Sequence, residues 1–542
     1  MSDRCVLRLA ATGAIEVFSP YDAVTQAQLR RLRPRGLWRA QRGCWEFPLE
    51  AATTLRAQLG TRFAIEPELN RWLQWLDSPL PPLPPHRELV AAAELELPLP
   101  DGRCLFAHQR SAARWLLARR GAVLADAMGL GKTLTALAAA RALVRRADCR
   151  IVVLAPVGLH AHWQREAAAL QLQLTLHSWG AVPQELPPAG CVLLVDEAHF
   201  AQNGHTRRSA ALLRLARHPR LRACWLLTGT PMKNGRPAQL FPLLAAIGHP
   251  LARDQRAFEL RYCGGHWQEQ GGRRVWQARG ASQLEELQRL VRPLLLHRRK
   301  RDCLDLPPKQ RQLHPVQLCP ELAERFDQDL DSRLQDYRKR AHLGLVRRDA
   351  EALAALTAVR QLGSRYKLPA ARSLIAALLQ QGEPVVVFTA FLESARSLHQ
   401  QLAAAGDPGL LIGALPPRER QRQVDAFQQG AVPLLVATYG TGGLGFTLHR
   451  ARHVVLLERP WTPGDAEQAE DRCHRIGMTG SLQTHWLQLG LGDQLVDSLI
   501  ESKAERIELV LQGRTQQLRR QRLAAMVDQL FRGSPDSSGG AS

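Results

Sequence analysis

A chain of 542 residues with 45% hydrophobic and 23% charged side chains exceeds what one core can organise, so two to four globular domains are expected. Its formal charge of +22, nearly all from arginine, gives a pI near 10.5 and favours a polyanionic partner, nucleic acid first, although heavy Ala, Arg, Leu and Pro usage also echoes a GC-rich genome. No apolar run nears the roughly 20 residues that span a bilayer, MSDRCVLRLAATG lacks the apolar core and cleavage site of a signal peptide, and ten cysteines stand singly without CxxC pairs; a membrane span, export, a disulfide framework and a zinc site are disfavoured.

In chain order, residues 1–75 read as a small basic α+β domain. The stretch GAIEVFSPYDAVTQAQLRRLRPRGLWRAQRGCWEFPLEAATTLRAQLG predicts strand, helix, strand, helix, and interleaves Arg30, Arg31, Arg33, Arg35, Arg39 and Arg42 with Trp38 and Trp45. Arginines bind phosphates and exposed tryptophan stacks on bases, a combination suited to forked or single-stranded DNA. The alternative is that Trp38, Trp45 and Phe47 form a small core beneath a basic surface. Next, LDSPLPPLPPHR is too proline-dense for helix or ladder, so residues 76–97 read as a semi-rigid linker.

Beyond it the runs CRIVVLAP, CVLLVDEA, CWLLTGTP, PVVVFTAF, PLLVATYG and HVVLLERP alternate with Ala/Leu-rich helical stretches. Buried parallel strands with crossover helices read this way, in two α/β units over residues 98–305 and 366–512. Residues 306–365 between them read as a linker with a helical insertion. A basic helix and a polar tail are expected over 513–542.

LADAMGLGKTLTALAAA carries the strongest single signal. A strand end, a Gly-rich turn and a helix N-terminus form an anion cradle. Gly129 and Gly131 permit close approach to phosphates, Lys132 reaches the β and γ phosphates, and Thr133 suits Mg²⁺. Asp126 stands where the first glycine of GxxxxGKT is usual. Some 60 residues on, CVLLVDEAHF ends a strand in two acids: Asp196 for the Mg²⁺ shell and Glu197 for the attacking water. Together they predict Mg-ATP hydrolysis.

LFAHQ, DAMGLGKT, LAPVGLHAHW, DEAH, LLTGTPMKNG, VVVFTAF, VATYGTGGLGFTLHRA and RPWTPGDAEQAEDRCHRIGM occur in the order of the superfamily-two helicase motifs. LTGTP, GGLGFTL and DRCHRIG resemble the SWI/SNF-type ATPases, which track along double-stranded DNA without processive strand separation. FELRYCGGHW and LEELQRLVRPLLLHRRKRDCLDLPPKQR are similar to the HARP-like annealing helicases, as is CWEFPL in the amino-terminal domain.

The resemblance covers residues 100–512 and implies two tandem RecA-like lobes that hydrolyse ATP between them. It implies that Gln109 reads adenine, with Asp126, Met128, Gly129, Leu130, Gly131, Lys132, Thr133 and Leu134 lining the nucleotide, and that His199, Thr228, Gly229, Thr230, Gly442, Gly443 and Gly445 couple hydrolysis to DNA. Arg472 and Arg475, three apart and expected on one helical face, resemble the paired arginine fingers. Ala112 and Met478 stand where the family commonly has glycine and glutamine.

The expected activity is ATP-dependent translocation on duplex or forked DNA that re-anneals or remodels stalled replication forks. A strand-separating DEAH-type helicase and a DNA-binding scaffold with a decayed ATPase are the alternatives. The expected location is the bacterial cytoplasm at the nucleoid, or the nucleus in a eukaryote.

Overall fold

The computed structural model describes residues 5–77, 95, 98–145, 149–186, 190–270, 272–342, 348–403, 407–442, 446–475, 477–478 and 480–513. Most of the proline-rich linker and nearly all of the carboxy-terminal segment therefore lie outside the described residues. Two units emerge, one from Met1–Cys303 with Arg506–Thr515, the other centred on Leu304–Glu505.

All six apolar runs are strands. In the first unit a six-stranded sheet, parallel throughout, runs in the order Leu295–Leu296, Gly121–Leu124, Leu221–Leu227, Gly190–Val195, Cys149–Ala155, Leu174–Ser178. Its central strands are apolar without alternation because helices cover both faces: Val192 and Leu194 join one core, Leu193 and Val195 the other. In the second unit the order is Lys309–Pro315, Leu482–Gln488, His453–Leu456, Val385–Thr389, Leu434–Thr438, Gly409–Leu411, again all parallel. These are the two RecA-like lobes that the resemblance implies. The edge strand Lys309–Pro315 falls inside the stretch expected to be linker. Two helices follow, Pro320–His342 and Arg348–Gln380, the second running on past residue 365.

The amino-terminal domain has more strands than its sequence suggests. Gly43, at φ 62°, turns Leu37–Arg39 back onto Cys44–Phe47, so one expected strand is a hairpin. With Ile15–Phe18, Val6–Leu9 and Ala64–Ile65 it completes a mixed five-stranded sheet. The core reading holds for Trp45 and Phe47, which are buried, Trp45 donating from Nε1 to Gln26 Oε1 at 2.8 Å. Trp38 is exposed and only edges Trp45, and all six arginines are exposed as well. The domain is seated on the first lobe: Arg253 donates to the Ala10 carbonyl, Arg261 bridges Glu50 and Glu286, and the Trp72 ring meets His249 edge-on at 4.9 Å.

Candidate functional site

The phosphate loop follows from its glycines. After the strand Gly121–Leu124 the chain turns through Gly129 (φ 86°) and Gly131 (φ 75°), conformations that side chains resist, and opens the helix Lys132–Val144. A Cβ on Gly131 would also lie 2.2 Å from Gln109 Nε2, so the Gln109 amide would have to give way. Gln109 ties this loop down, donating from Nε2 to the Leu130 carbonyl at 3.3 Å and accepting from the Phe106 amide at 3.0 Å. His108 Nε2 contacts the same Leu130 carbonyl at 3.1 Å. Lys132 Nζ donates to the Asp126 and Ala127 carbonyls at 2.8 and 3.3 Å, folded back along the loop that it serves.

Asp126 offers the loop its main chain rather than its carboxylate. Its side chain is buried and gripped by both Nε and Nη2 of Arg298, whose Nη1 donates to the His108 carbonyl at 2.7 Å. Arg298 was missed at the sequence level. The available signal was an acid in the usual place of a glycine, which once buried needs a cation.

The acids sit at the end of the strand Gly190–Val195. Asp196 Oδ2 accepts from Trp163 Nε1 and Oδ1 from the Glu197 amide, at 2.8 and 2.9 Å, while Trp179 Nε1 holds the Asp196 carbonyl at 3.0 Å. Burial and the adjacent Glu197 charge raise the Asp196 carboxyl from its ordinary 3.8 to about 6, against the indole hydrogen bond. Glu197 itself lies at φ 48°, a strained conformation for a side-chain-bearing residue, and its Oε2 is 3.1 Å from His199 Nδ1.

The TGTP segment closes on the loop. A Cβ on Gly229 would meet Met128 Cγ at 2.9 Å and Lys132 Nζ at 3.6 Å. Thr228 Oγ1 accepts from the Thr230 amide at 3.1 Å. Buried Gln202, three residues beyond His199, donates to the Thr230 carbonyl at 2.6 Å and accepts from the Lys233 amide at 3.4 Å. Gln202 thus links the DEAH segment to TGTP mechanically, a second residue that sequence reasoning missed. Thr133 and Leu134 occupy the first turn of the Lys132–Val144 helix.

In the second unit the two arginines are not on one helical face. The helix Pro463–Cys473 ends at its cap His474 (ψ 84°), so Arg472 lies in its last turn and Arg475 beyond it. Arg472 is buried and its carbonyl accepts from the Leu448 amide at 2.8 Å. Arg475 donates from Nη1 to Thr447 Oγ1 and from Nε to the Asp471 carbonyl, each at 3.0 Å. The TLHRA segment therefore positions both. Gly442 ends a short helix, whereas Gly443 and Gly445 lie outside the described residues.

Behind the arginines, fully buried Glu470 accepts from Lys309 at 2.9 Å, from Arg311 at 2.7 Å and from Trp486 Nε1 at 3.2 Å. This is what recruits the edge strand Lys309–Pro315. Met478, where an amide is usual, joins an apolar cluster with Phe446 and Trp486. Among the described residues no helix is long and apolar enough to cross a membrane.

The chain matches the SNF2-related domain over residues 108–181 and 189–365 and the helicase conserved C-terminal domain over residues 367–477. It is 28% identical over 450 residues to the DNA annealing helicase and endonuclease ZRANB3 of Mus musculus, covering 76% of this chain and 41% of that one. It is also 28% identical over 444 residues to the SWI/SNF-related matrix-associated actin-dependent regulator of chromatin subfamily A-like protein 1 of Xenopus tropicalis, covering 74% and 44%. The chain spans less than half the length of these two relatives. A Sulfolobus solfataricus SWI2/SNF2 ATPase core in complex with dsDNA overlays at 21% identity and a TM-score of 0.35, covering 77% of this chain and 96% of that one.

Proposed function

Because the chain belongs to the SNF2-related family, with its helicase C-terminal domain in place, we propose that it is an ATP-dependent translocase on double-stranded DNA that re-anneals or remodels structures such as stalled replication forks. One observation carries the reading. The phosphate-loop lysine, the two acids and TGTP form a single connected assembly, joined through Gly229 against Lys132 and through Gln202 to Thr230.

The residues fit a magnesium nucleotide. An uncapped helix N-terminus behind two αL glycines leaves amides for phosphate oxygens. Asp196, at the end of the strand Gly190–Val195, and Thr133, in the first turn of the helix Lys132–Val144, are the oxygen donors that would hold Mg²⁺. Bound ATP supplies the phosphoanhydride whose cleavage drives movement. Lys132 exchanges two carbonyl partners for phosphate oxygens, and Gln109 keeps the loop closed while presenting its amide to the base. Glu197, beside His199, orients and deprotonates the attacking water. Arg472 and Arg475 meet negative charge as it develops on the transferred group, worth on the order of a thousandfold or more. Gln202 carries the change at the acids to Thr230 and so to the DNA-facing side.

The amino-terminal domain, with exposed Trp38 among arginines, adds a structure-selective DNA contact. The relatives named above as an annealing helicase and as a chromatin regulator support DNA as the substrate. The test is steady-state ATP hydrolysis with single-stranded, duplex and forked DNA and with duplex RNA, using Lys132→Ala as the blank. Duplex or forked DNA should stimulate most. Preference for RNA would favour a DEAH-type helicase, and no hydrolysis at all would leave a scaffold.

A further inference from the structure

We propose that the hairpin His266–Gln270 and Arg273–Gln277 on the first lobe is a base-stacking platform for an unpaired DNA base, such as one at a fork junction. This rests on the DNA-translocase reading but uses residues outside its catalytic assembly.

A lone two-stranded hairpin is marginal in water, so something must hold this one. Trp267 and Trp276 face each other across the strands with ring centroids 5.5 Å apart, edge to face. Trp276 is anchored: its Nε1 donates to Glu259 Oε2 at 2.6 Å, and its ring sits so close to Gly265 that a Cβ there would come within 2.4 Å of it. The Arg256 guanidinium, from the helix Gln255–Tyr262, lies over both rings, 4.0 Å from the Trp276 centroid and 5.1 Å from that of Trp267. With Trp276 and Arg256 fixing the base of the stack, Trp267 is held in one orientation yet remains 56% exposed. A tryptophan fixed and left open has a ready face for a planar ligand.

The surroundings select the ligand. Arg256, stacked over the rings, and Arg274, two residues before Trp276 and so on its face of the hairpin, are exposed, and Glu269, opposite Arg274, is the one acid on the two strands. Such a border suits phosphates, and an aromatic face beside arginine suits a base. In duplex DNA the base faces are stacked within the helix, so the platform engages only bases that have been released. It therefore distinguishes a fork or single strand from blunt duplex, which the motor grips by its backbone.

Fluorescence anisotropy with labelled single-stranded, forked and blunt duplex DNA tests this on the full chain, comparing the wild type with Trp267→Ala and Trp267→Phe. The alanine variant should bind single strands and forks about tenfold more weakly while blunt duplex binding stays unchanged, and phenylalanine should restore most of the loss. Unchanged binding to all three, or equal loss on all three, overturns the platform. Duplex-stimulated ATPase of the wild type is measured alongside. Its absence strikes the translocase reading, whereas normal stimulation with unaltered fork binding by Trp267→Ala strikes only the hairpin assignment.

Discussion

Replacing Asp196 by asparagine should make the ligand-free protein more stable while abolishing its ATPase. Burial and the Glu197 charge hold the Asp196 carboxyl at about 6 rather than 3.8. At about 1.4 kcal/mol per pH unit, keeping it ionised costs about 3 kcal/mol at neutral pH. Asparagine keeps the Trp163 hydrogen bond through its carbonyl but turns an amide toward the Glu197 N–H, forfeiting about 1 kcal/mol. The net expectation is about 2 kcal/mol of stabilisation, a few degrees in the thermal transition of the first unit.

The pH dependence fixes the sign. Below 3.8 the wild-type carboxyl is protonated whether folded or unfolded and the cost is absent. The cost grows as pH rises toward about 6 and is complete above it. Melting in EDTA at a series of pH values should therefore show the variant's advantage at neutrality closing as pH falls through that window. A variant less stable than wild type at pH 7.5, or an advantage independent of pH, would refute the reasoning.

Two further substitutions probe the second unit. Arg475→Ala removes hydrogen bonds to Thr447 and to the Asp471 carbonyl at the end of a helix, and the fold should survive; ATP affinity should change little while turnover falls about a hundredfold or more in single-turnover assays. Glu470→Gln leaves Lys309 and Arg311 facing a neutral amide, and because Arg311 is 43% exposed the loss in urea unfolding should be nearer about 2 than about 5 kcal/mol. The two cations hold the Glu470 carboxyl below its ordinary 4.5, so that contribution is present at neutral pH and fades as pH falls below 4.5.

The strands of both lobes were legible because burial on two faces demands unbroken apolar runs, and phosphate chemistry demands Gly-Lys-Thr and paired acids at strand ends. What escaped reading lacks a local signal. KQRQLHP has one strongly apolar residue, yet it is an edge strand, drawn in by the Leu482–Gln488 ladder and by Glu470. Arg298 reaches Asp126 across 172 residues, a distance that no window sees. Three-residue spacing suggested one helical face for Arg472 and Arg475, but the helix ends between them at His474. In the amino-terminal domain, composition could not separate buried Trp45 from exposed Trp38; the hairpin pairs the two directly, and Trp38 is the one left on the edge strand of the sheet.

Movement along duplex DNA is the central claim, and displacement of a third strand from a triplex measures it most directly. With ATP and Mg²⁺ the wild type should release the triplex-forming strand while the underlying duplex stays paired, and Lys132→Ala should release nothing. Hydrolysis without third-strand release, or separation of the duplex strands themselves, would contradict it.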